Sequence, residues 1–113
     1  MEEQLRPMDI LRLDLIEKTG IQNVYIDPPE SVRMVYPCIR VSLTSSYTQY
    51  ANNYSYRNTP SYNVILIDYD PDSIYYKSLI EGFQMIRFNR HYVADDLHHY
   101  DFILYYKHKE KKL

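Results

Sequence analysis

The stretch SYNVILIDY, residues 61–69, constrains the fold most, because apolar side chains alternate on both of its faces. Successive residues of a strand point to opposite faces, so a strand that is apolar on both has to be covered on both. We therefore expect a central strand, covered by a helix on one face and by more of the chain or another subunit on the other. The two sets are Tyr62, Val64 and Leu66, and Ile65, Ile67 and Tyr69.

Four further strands are predicted, at residues 23–27, 36–43, 84–90 and 99–107. Most connections between consecutive strands are too short for crossovers, which favours antiparallel pairing. Residues 36–43 alternate between a predicted core face and a partly wet face; these are Ile39, Val41 and Leu43, and Cys38, Arg40 and Ser42.

Two helices complete the pattern. RPMDILRLDLIEKTG places Pro7 at a first helical position and Gly20 where a left-handed residue can end the helix. DPDSIYYKSLIEGF begins the second helix, with Asp70 as the predicted N-cap and Pro71 in the first turn. The order helix, three strands, helix, two strands predicts an α+β domain. Its sheet of about five strands is mostly antiparallel, with a long hairpin between the second and third strands.

Length and charge limit the class of protein. The 113 residues suit a single domain, 1–113, in which residues 108–113 are expected to form a flexible charged tail. A net charge of -2 does not favour bulk electrostatic binding of nucleic acid. One cysteine, Cys38, excludes an internal disulfide, and the sequence has neither a signal-peptide pattern nor an apolar run long enough for a membrane.

The hairpin TSSYTQYANNYSYRNTP, residues 44–60, joins four of the chain's fourteen tyrosines to amides and hydroxyls. It is too long for a tight turn, and loops of this length are usually functional or mobile. Tyrosine supplies contact area while Ser, Asn and Gln supply adaptable hydrogen bonds. The hairpin is interpreted as an ordered partner contact, with a flexible tip as the alternative.

The stretch NRHYVADDLHHYDF, residues 89–102, is the densest group of ionisable residues. A zinc site would need His91, His98, His99 and an aspartate to converge on one point. Adjacent strand residues point to opposite faces, so at most one of His98 and His99 can easily join a ligand set with His91. The structural interpretation is strand, turn, strand. Its turn amides would be bound by Asn89, Asp95 and Asp96, and the turn would be anchored by Val93 and Leu97.

Other chemical motifs are incomplete. DYDPD, residues 68–72, begins like a calcium loop, but Ser73 and Leu79 stand where glycine and glutamate are required. Cys38 lies in no recognisable nucleophile motif. We therefore expect no enzyme activity, no cofactor and no metal; the alternative is an enzyme or metal site through His91, Asp95, Asp96 and His98.

The element order and three phrases resemble the small tail terminator, or tail-completion, proteins of long-tailed bacteriophages. The phrases are YPCIRV in the second strand, YNVILIDYDPDS leading into the second helix, and FNRHYVADDLHHYDFILYY at the last hairpin. The resemblance covers nearly the whole chain. It implies a structural virion protein of the neck that forms a homo-oligomeric ring, usually of six subunits, at the head-proximal end of the tail.

Such a ring caps the tail tube, ends tube polymerisation and offers a surface for head-tail joining. The resemblance implies as partners the tail tube protein and a head-completion or connector protein, with no membrane. DNA would pass through the ring without specific binding, and the protein would stay in the host cytoplasm during assembly. A neutral or acidic lumen would help the DNA to slide.

A ring closed by heterologous contacts needs two different patches on each subunit. The expected patches are the hairpin, through Tyr47, Tyr50, Asn52, Tyr54, Tyr56 and Arg57, and the last hairpin, through Arg87, Arg90, His91, Asp95 and His98. Two alternatives remain. One is another neck component, such as a head-closure or connector protein, and the other is a single-strand nucleic-acid-binding protein whose tyrosines stack on bases.

Overall fold

Two helices lie over one face of a five-stranded sheet, in a computed structural model that describes residues 6–29, 31–45 and 59–106. The helix and strand order confirms the predicted α+β class, whereas the tip of the long hairpin lies outside the described residues. The elements are α1 (Pro7–Thr19), β1 (Val24–Ile26), β2 (Cys38–Ser45), β3 (Ser61–Asp68), α2 (Ile74–Gly82), β4 (Ile86–Ala94) and β5 (Leu97–Tyr105).

The strand order across the sheet is β1-β2-β3-β5-β4, which confirms β3 as the central strand. β1 pairs with β2 in parallel, and every other pairing is antiparallel. Because β5 lies between β3 and β4, the chain passes through α2 to reach the far edge and then returns to the centre. The edge strands are therefore the three-residue β1 and the nine-residue β4.

The main core lies between the helices and the first face of the sheet. Leu11 and Leu15 from α1 and Leu79 from α2 are all fully buried against it. The sheet contributes Ile39, Val41, Val64, Leu66, Phe102 and Leu104, all at most 1% exposed. Leu43, predicted on the same core face, is 46% exposed, because it lies near the end of β2 beyond the buried part of the strand.

A smaller apolar cluster lies on the second face of the sheet. Cys38, Ile67 and Leu97 are buried there, and Met34 and Tyr36 from the segment before β2 pack against them. Both faces of β3 are thus covered near its end, as its two-sided apolar pattern predicts. Within the described residues no helix lies on this second face.

The ends of the helices are determined by local backbone conformation and capping hydrogen bonds, which the sequence predicts only in part. As predicted, α1 begins at Pro7 and ends at Gly20, whose φ of 81° is left-handed and whose N–H donates to Ile16 O at 2.7 Å. The predicted cap of α2 is wrong. Ser73, not Asp70, is its N-cap, because the Ser73 hydroxyl reaches the Tyr75 N–H at 3.3 Å.

Asp70 closes a turn before α2 instead. Its carboxylate accepts a hydrogen bond from the Asp72 N–H at 2.9 Å. Pro71 consequently lies in this turn, not in the first turn of the helix. A short acidic side chain that binds an amide two residues ahead satisfies the turn as well as it would satisfy a helix.

The last hairpin has longer strands than predicted, since β4 and β5 are separated only by Asp95 and Asp96. Both aspartates have positive φ, 53° and 62°, as two-residue hairpin turns require. Their predicted position in the turn is confirmed, whereas the predicted binding of turn amides by their side chains stays a prediction, and Leu97 is buried as expected. The predicted anchor Val93 is 59% exposed, because it lies on the edge strand, and Asn89 lies within β4, not in the turn.

Of the described helices, neither has the length and hydropathy needed to cross a lipid bilayer.

Two leucines of α1 provide a test of this packing. We expect Leu11→Ala, at a fully buried position, to lower the free energy of unfolding by about 2–5 kcal/mol. Leu13→Ala, at a position 48% exposed on the same helix, should change it by less than about 0.5 kcal/mol. Urea denaturation followed by circular dichroism measures both, and equal losses would contradict the described orientation of α1.

Cys38 provides a second test, because burial raises the pKa of its thiol to about 12 and the Arg40 guanidinium opposes this only in part. The thiolate is the reactive form, so we expect negligible alkylation of the folded protein by iodoacetamide at pH 8. Unfolding in urea should return the thiol to ordinary reactivity. Mass spectrometry reads the result, since the chain has one cysteine, and equally rapid labelling in both states would contradict its burial.

Candidate subunit interface

The described part of the predicted interface lies on the β4–β5 hairpin. Arg87, Arg90 and His91 belong to β4, Asp95 lies in the turn, and His98 belongs to β5. Both strands pair along nearly their whole length, so the backbone that holds these side chains is fixed. Six further predicted residues fall outside the described residues: Tyr47, Tyr50, Asn52, Tyr54, Tyr56 and Arg57.

The hairpin does not bring its five predicted residues together on one surface. Arg87 and Arg90 lie on the second face of the sheet, whereas His91 and His98 lie on the face that the helices cover. Residues three apart on a regular strand would point to opposite faces. An irregularity in the β4–β5 register between Phe88 and Arg90 adds one residue and returns Arg90 to the same face as Arg87.

We call Arg40, Arg87 and Arg90 the arginine face. All three are exposed on the second face, one on β2 and two on β4. Asp101, the strand neighbour of Arg90, is only 5% exposed, and its carboxylate accepts from Asn89 at 3.2 Å and Arg90 at 3.4 Å. Asn63 also contacts this carboxylate. Asp101 is thereby compensated, while Arg40 and Arg87 take part in no ion pair within the described part of the chain.

Aromatic rings line the same face beside Arg90. Tyr92 and His99 stack with centroids 4.8 Å apart and planes 16° apart. The Arg90 guanidinium carbon lies 4.7 Å from the Tyr92 centroid, which is within the range of a cation–π contact. Arg90 is therefore held by both Asp101 and Tyr92.

On the opposite face, His91 and His98 form a pair. The His91 Nε2 and His98 Nδ1 atoms are 2.9 Å apart, so one imidazole donates a hydrogen bond to the other. The His91 ring also stacks on Tyr100, with centroids 4.4 Å apart and planes 11° apart. The expected separation of His98 from His99 is confirmed, because His99 lies with Tyr92 on the other face. No group of three or more potential metal ligands occurs among the residues described.

Tyr100 also fixes the loop between β3 and α2. Its hydroxyl donates to Asp70 O at 2.8 Å and accepts from the Ser73 N–H at 3.2 Å. Loss of water raises the pKa of Tyr100; the Ser73 N–H opposes this, and nearby aspartates, first Asp70, add to the rise. The phenol therefore keeps its proton and remains a donor. Asp68 completes the loop by accepting from the Ser73 hydroxyl at 2.7 Å.

This loop and the β4–β5 turn extend past the same end of the sheet. Asp68 pairs in register with His98, so residues 69–74 and the Asp95–Asp96 turn both follow the last paired rows. Ile74 is 74% exposed, Tyr69 66% and Val93 59%. We call this surface the acidic end, defined by those three residues with Asp70, Asp72, Asp95 and Asp96, all four of which are exposed.

The acidic end combines apolar area with unpaired charge. Three large apolar side chains are exposed at this end of the sheet, and one of them, Tyr69, makes an edge contact with Tyr36. None of its four exposed carboxylates takes part in an ion pair with another described residue. In protein interfaces, charged residues are usually depleted at the centre, and polar groups lie at the rim.

Sequence reasoning missed most of this surface. It placed Tyr69 on a covered face of β3 and Val93 in the core, yet both are exposed. The acids that follow Tyr69, at positions 70 and 72, indicated the end of the strand there. Nothing comparable marks Val93, because its exposure follows from the edge position of β4.

No family model, curated protein or solved structure matches this chain. Inferences about function therefore depend on the residues and surfaces of the chain itself.

The Tyr100 hydroxyl is expected to stabilise the acidic end. Tyr100→Phe leaves the buried Ser73 N–H without its acceptor, so we expect a loss of about 1–3 kcal/mol in the free energy of unfolding. Tyr69→Phe removes a hydroxyl from a ring that is 66% exposed and should change the free energy by less than about 0.5 kcal/mol. Urea denaturation distinguishes the two, and a neutral Tyr100→Phe would show that the loop holds without this bond.

Proposed function

We propose that this protein is a tail terminator of a long-tailed bacteriophage, a structural protein whose ring caps the tail tube in the neck of the virion. The proposal starts from the resemblance in element order and sequence phrases. The observation that best supports it is that one small domain exposes two surfaces of different chemistry, the arginine face and the acidic end. A subunit of a closed ring needs two such patches.

The proposed mechanism is assembly without a chemical reaction. The ring occupies the tube end at which the next tube ring would add, and growth stops there. The ring then presents its other side to a head-completion or connector protein. Neither surface of the ring has to bind DNA, which passes through the central channel; a net charge of -2 per subunit is compatible with that passage.

Tail tubes provide the direct test. We expect the purified chain to form a ring by light scattering and by negative-stain class averages, with six-fold symmetry. Added to growing tubes, it should bind the head-proximal end and stop elongation at a length set by the time of addition. Bovine serum albumin at the same concentration serves as the control for non-specific arrest.

Two results would contradict this function. A chain that remains monomeric and never contacts tubes would exclude a terminator. A chain that ignores tubes but binds portal-containing heads would instead be a head-closure or connector protein, the closest alternative.

A single-strand nucleic-acid-binding protein is the second candidate, because the arginine face places Arg90 beside the stacked rings of Tyr92 and His99. Basic groups beside aromatic rings are used to bind single strands. However, Tyr92 already contacts both His99 and Arg90, so a base would have to displace one of them. Filter binding of labelled single-stranded oligonucleotides at low salt tests this, and the absence of retained label would exclude it.

A further inference from the structure

We infer that neighbouring copies of this chain associate head to tail, with the arginine face of one copy against the acidic end of the next. This inference deepens the proposed function, on which it rests for the closed ring, by naming the two surfaces that meet. Self-association itself is tested independently of any tail tube.

The first support is complementary charge on the two surfaces. The second face of the sheet has three exposed arginines against one aspartate, Asp101, which is already buried and hydrogen-bonded. The acidic end has four exposed aspartates. None of these four, nor Arg40 or Arg87, has an ion-pair partner within residues 6–29, 31–45 and 59–106. Each surface therefore has unpaired charges whose sign is opposite to that of the charges on the other surface.

The second support is the apolar area at the acidic end. Exposed ion pairs contribute little to affinity, and charges mainly set the rate and orientation of docking. The affinity has to come from burial of apolar side chains, which Tyr69, Ile74 and Val93 supply. On the opposing surface, the methylene groups of Arg40 and Arg87 and the half-buried Ile65 and Ile103 offer apolar area between the charges.

The third support is geometric. The arginine face lies on a broad side of the sheet, whereas the acidic end lies at one end of its strands. A contact between two different patches is heterologous, and each copy still has one unused patch of each kind. Such a contact repeats around a ring and leaves no unpaired patch once the ring closes. A symmetric dimer through either surface alone would place like charges together.

The inference is tested by reversing each surface while preserving the fold. The face variant is Arg40→Glu with Arg87→Glu; Arg90 is retained because it binds Asp101. The end variant is Pro71→Lys with Asp72→Lys, Asp95→Asn and Asp96→Gly. Pro71 and Asp72 are exposed, Asn and Gly suit the positive φ at positions 95 and 96, and Asp70 is retained because its carboxylate accepts from the Asp72 N–H.

Each variant alone should raise the concentration needed for half-association at least about tenfold, because like charges then meet. An equal mixture of the two should restore association, since every contact again joins opposite charges. The mixed ring must contain the two variants alternately, and native mass spectrometry should show a 1:1 ratio. One chain with both sets of substitutions should also associate.

Glu17→Lys is the matched control, because Glu17 is exposed on α1, takes part in no ion pair with another described residue and belongs to neither surface. It should leave association unchanged. A measurement on the wild-type protein does not depend on whether the variants fold. Raising the salt from about 0.05 to about 0.5 M, which shortens the screening length several-fold, should weaken association of the wild-type protein.

Three results would overturn the inference: association of either variant equal to that of the wild type, no restoration on mixing folded variants, or association that salt does not change. A wild-type chain that is monomeric at every concentration would also overturn it. Failure of the proposed function can be distinguished from failure of this inference. Rings that respond to the variants as expected but never bind tubes leave the inference intact, whereas variants that cap tubes as well as the wild type refute only the inference.

Discussion

The pairing of β3 with β5 is the contact on which the rest of the structure depends. It sets Tyr62, Val64 and Leu66 of β3 opposite Leu104, Phe102 and Tyr100 of β5, so these six buried side chains form one face beneath the helices. The same register places Asp68 opposite His98. It therefore fixes where the β3–α2 loop and the β4–β5 turn emerge, and with them the acidic end.

The sequence predicts those features that depend on local periodicity or on one special residue. The central position of β3 follows from its two-sided apolar pattern, the end of α1 from Gly20, and the opposite orientation of His98 and His99 from alternation. Features that depend on strand order are not visible locally. The exposure of Val93 follows only once β4 is known to be an edge strand.

The candidate interface, too, was predicted only in part from the sequence. The sequence indicated the β4–β5 hairpin, but it could not show that an irregularity between Phe88 and Arg90 would return Arg90 to the face of Arg87. The run RFNRH contains a single apolar residue, Phe88, which is too few to show where the alternation of the strand shifts. Likewise Asp70 and Ser73 are both good caps, and the sequence does not show the hydrogen bonds that hold Ser73, from its hydroxyl to Asp68 and from its N–H to Tyr100.

The irregularity in β4 also affects the exposed edge of the sheet. A nine-residue edge strand is a template on which strands of other copies can add without limit. A bulge distorts the edge, and arginines on either side of it oppose the approach of a second copy of the same strand. The feature that places both arginines on one face thus also protects the exposed edge of β4 against strand addition.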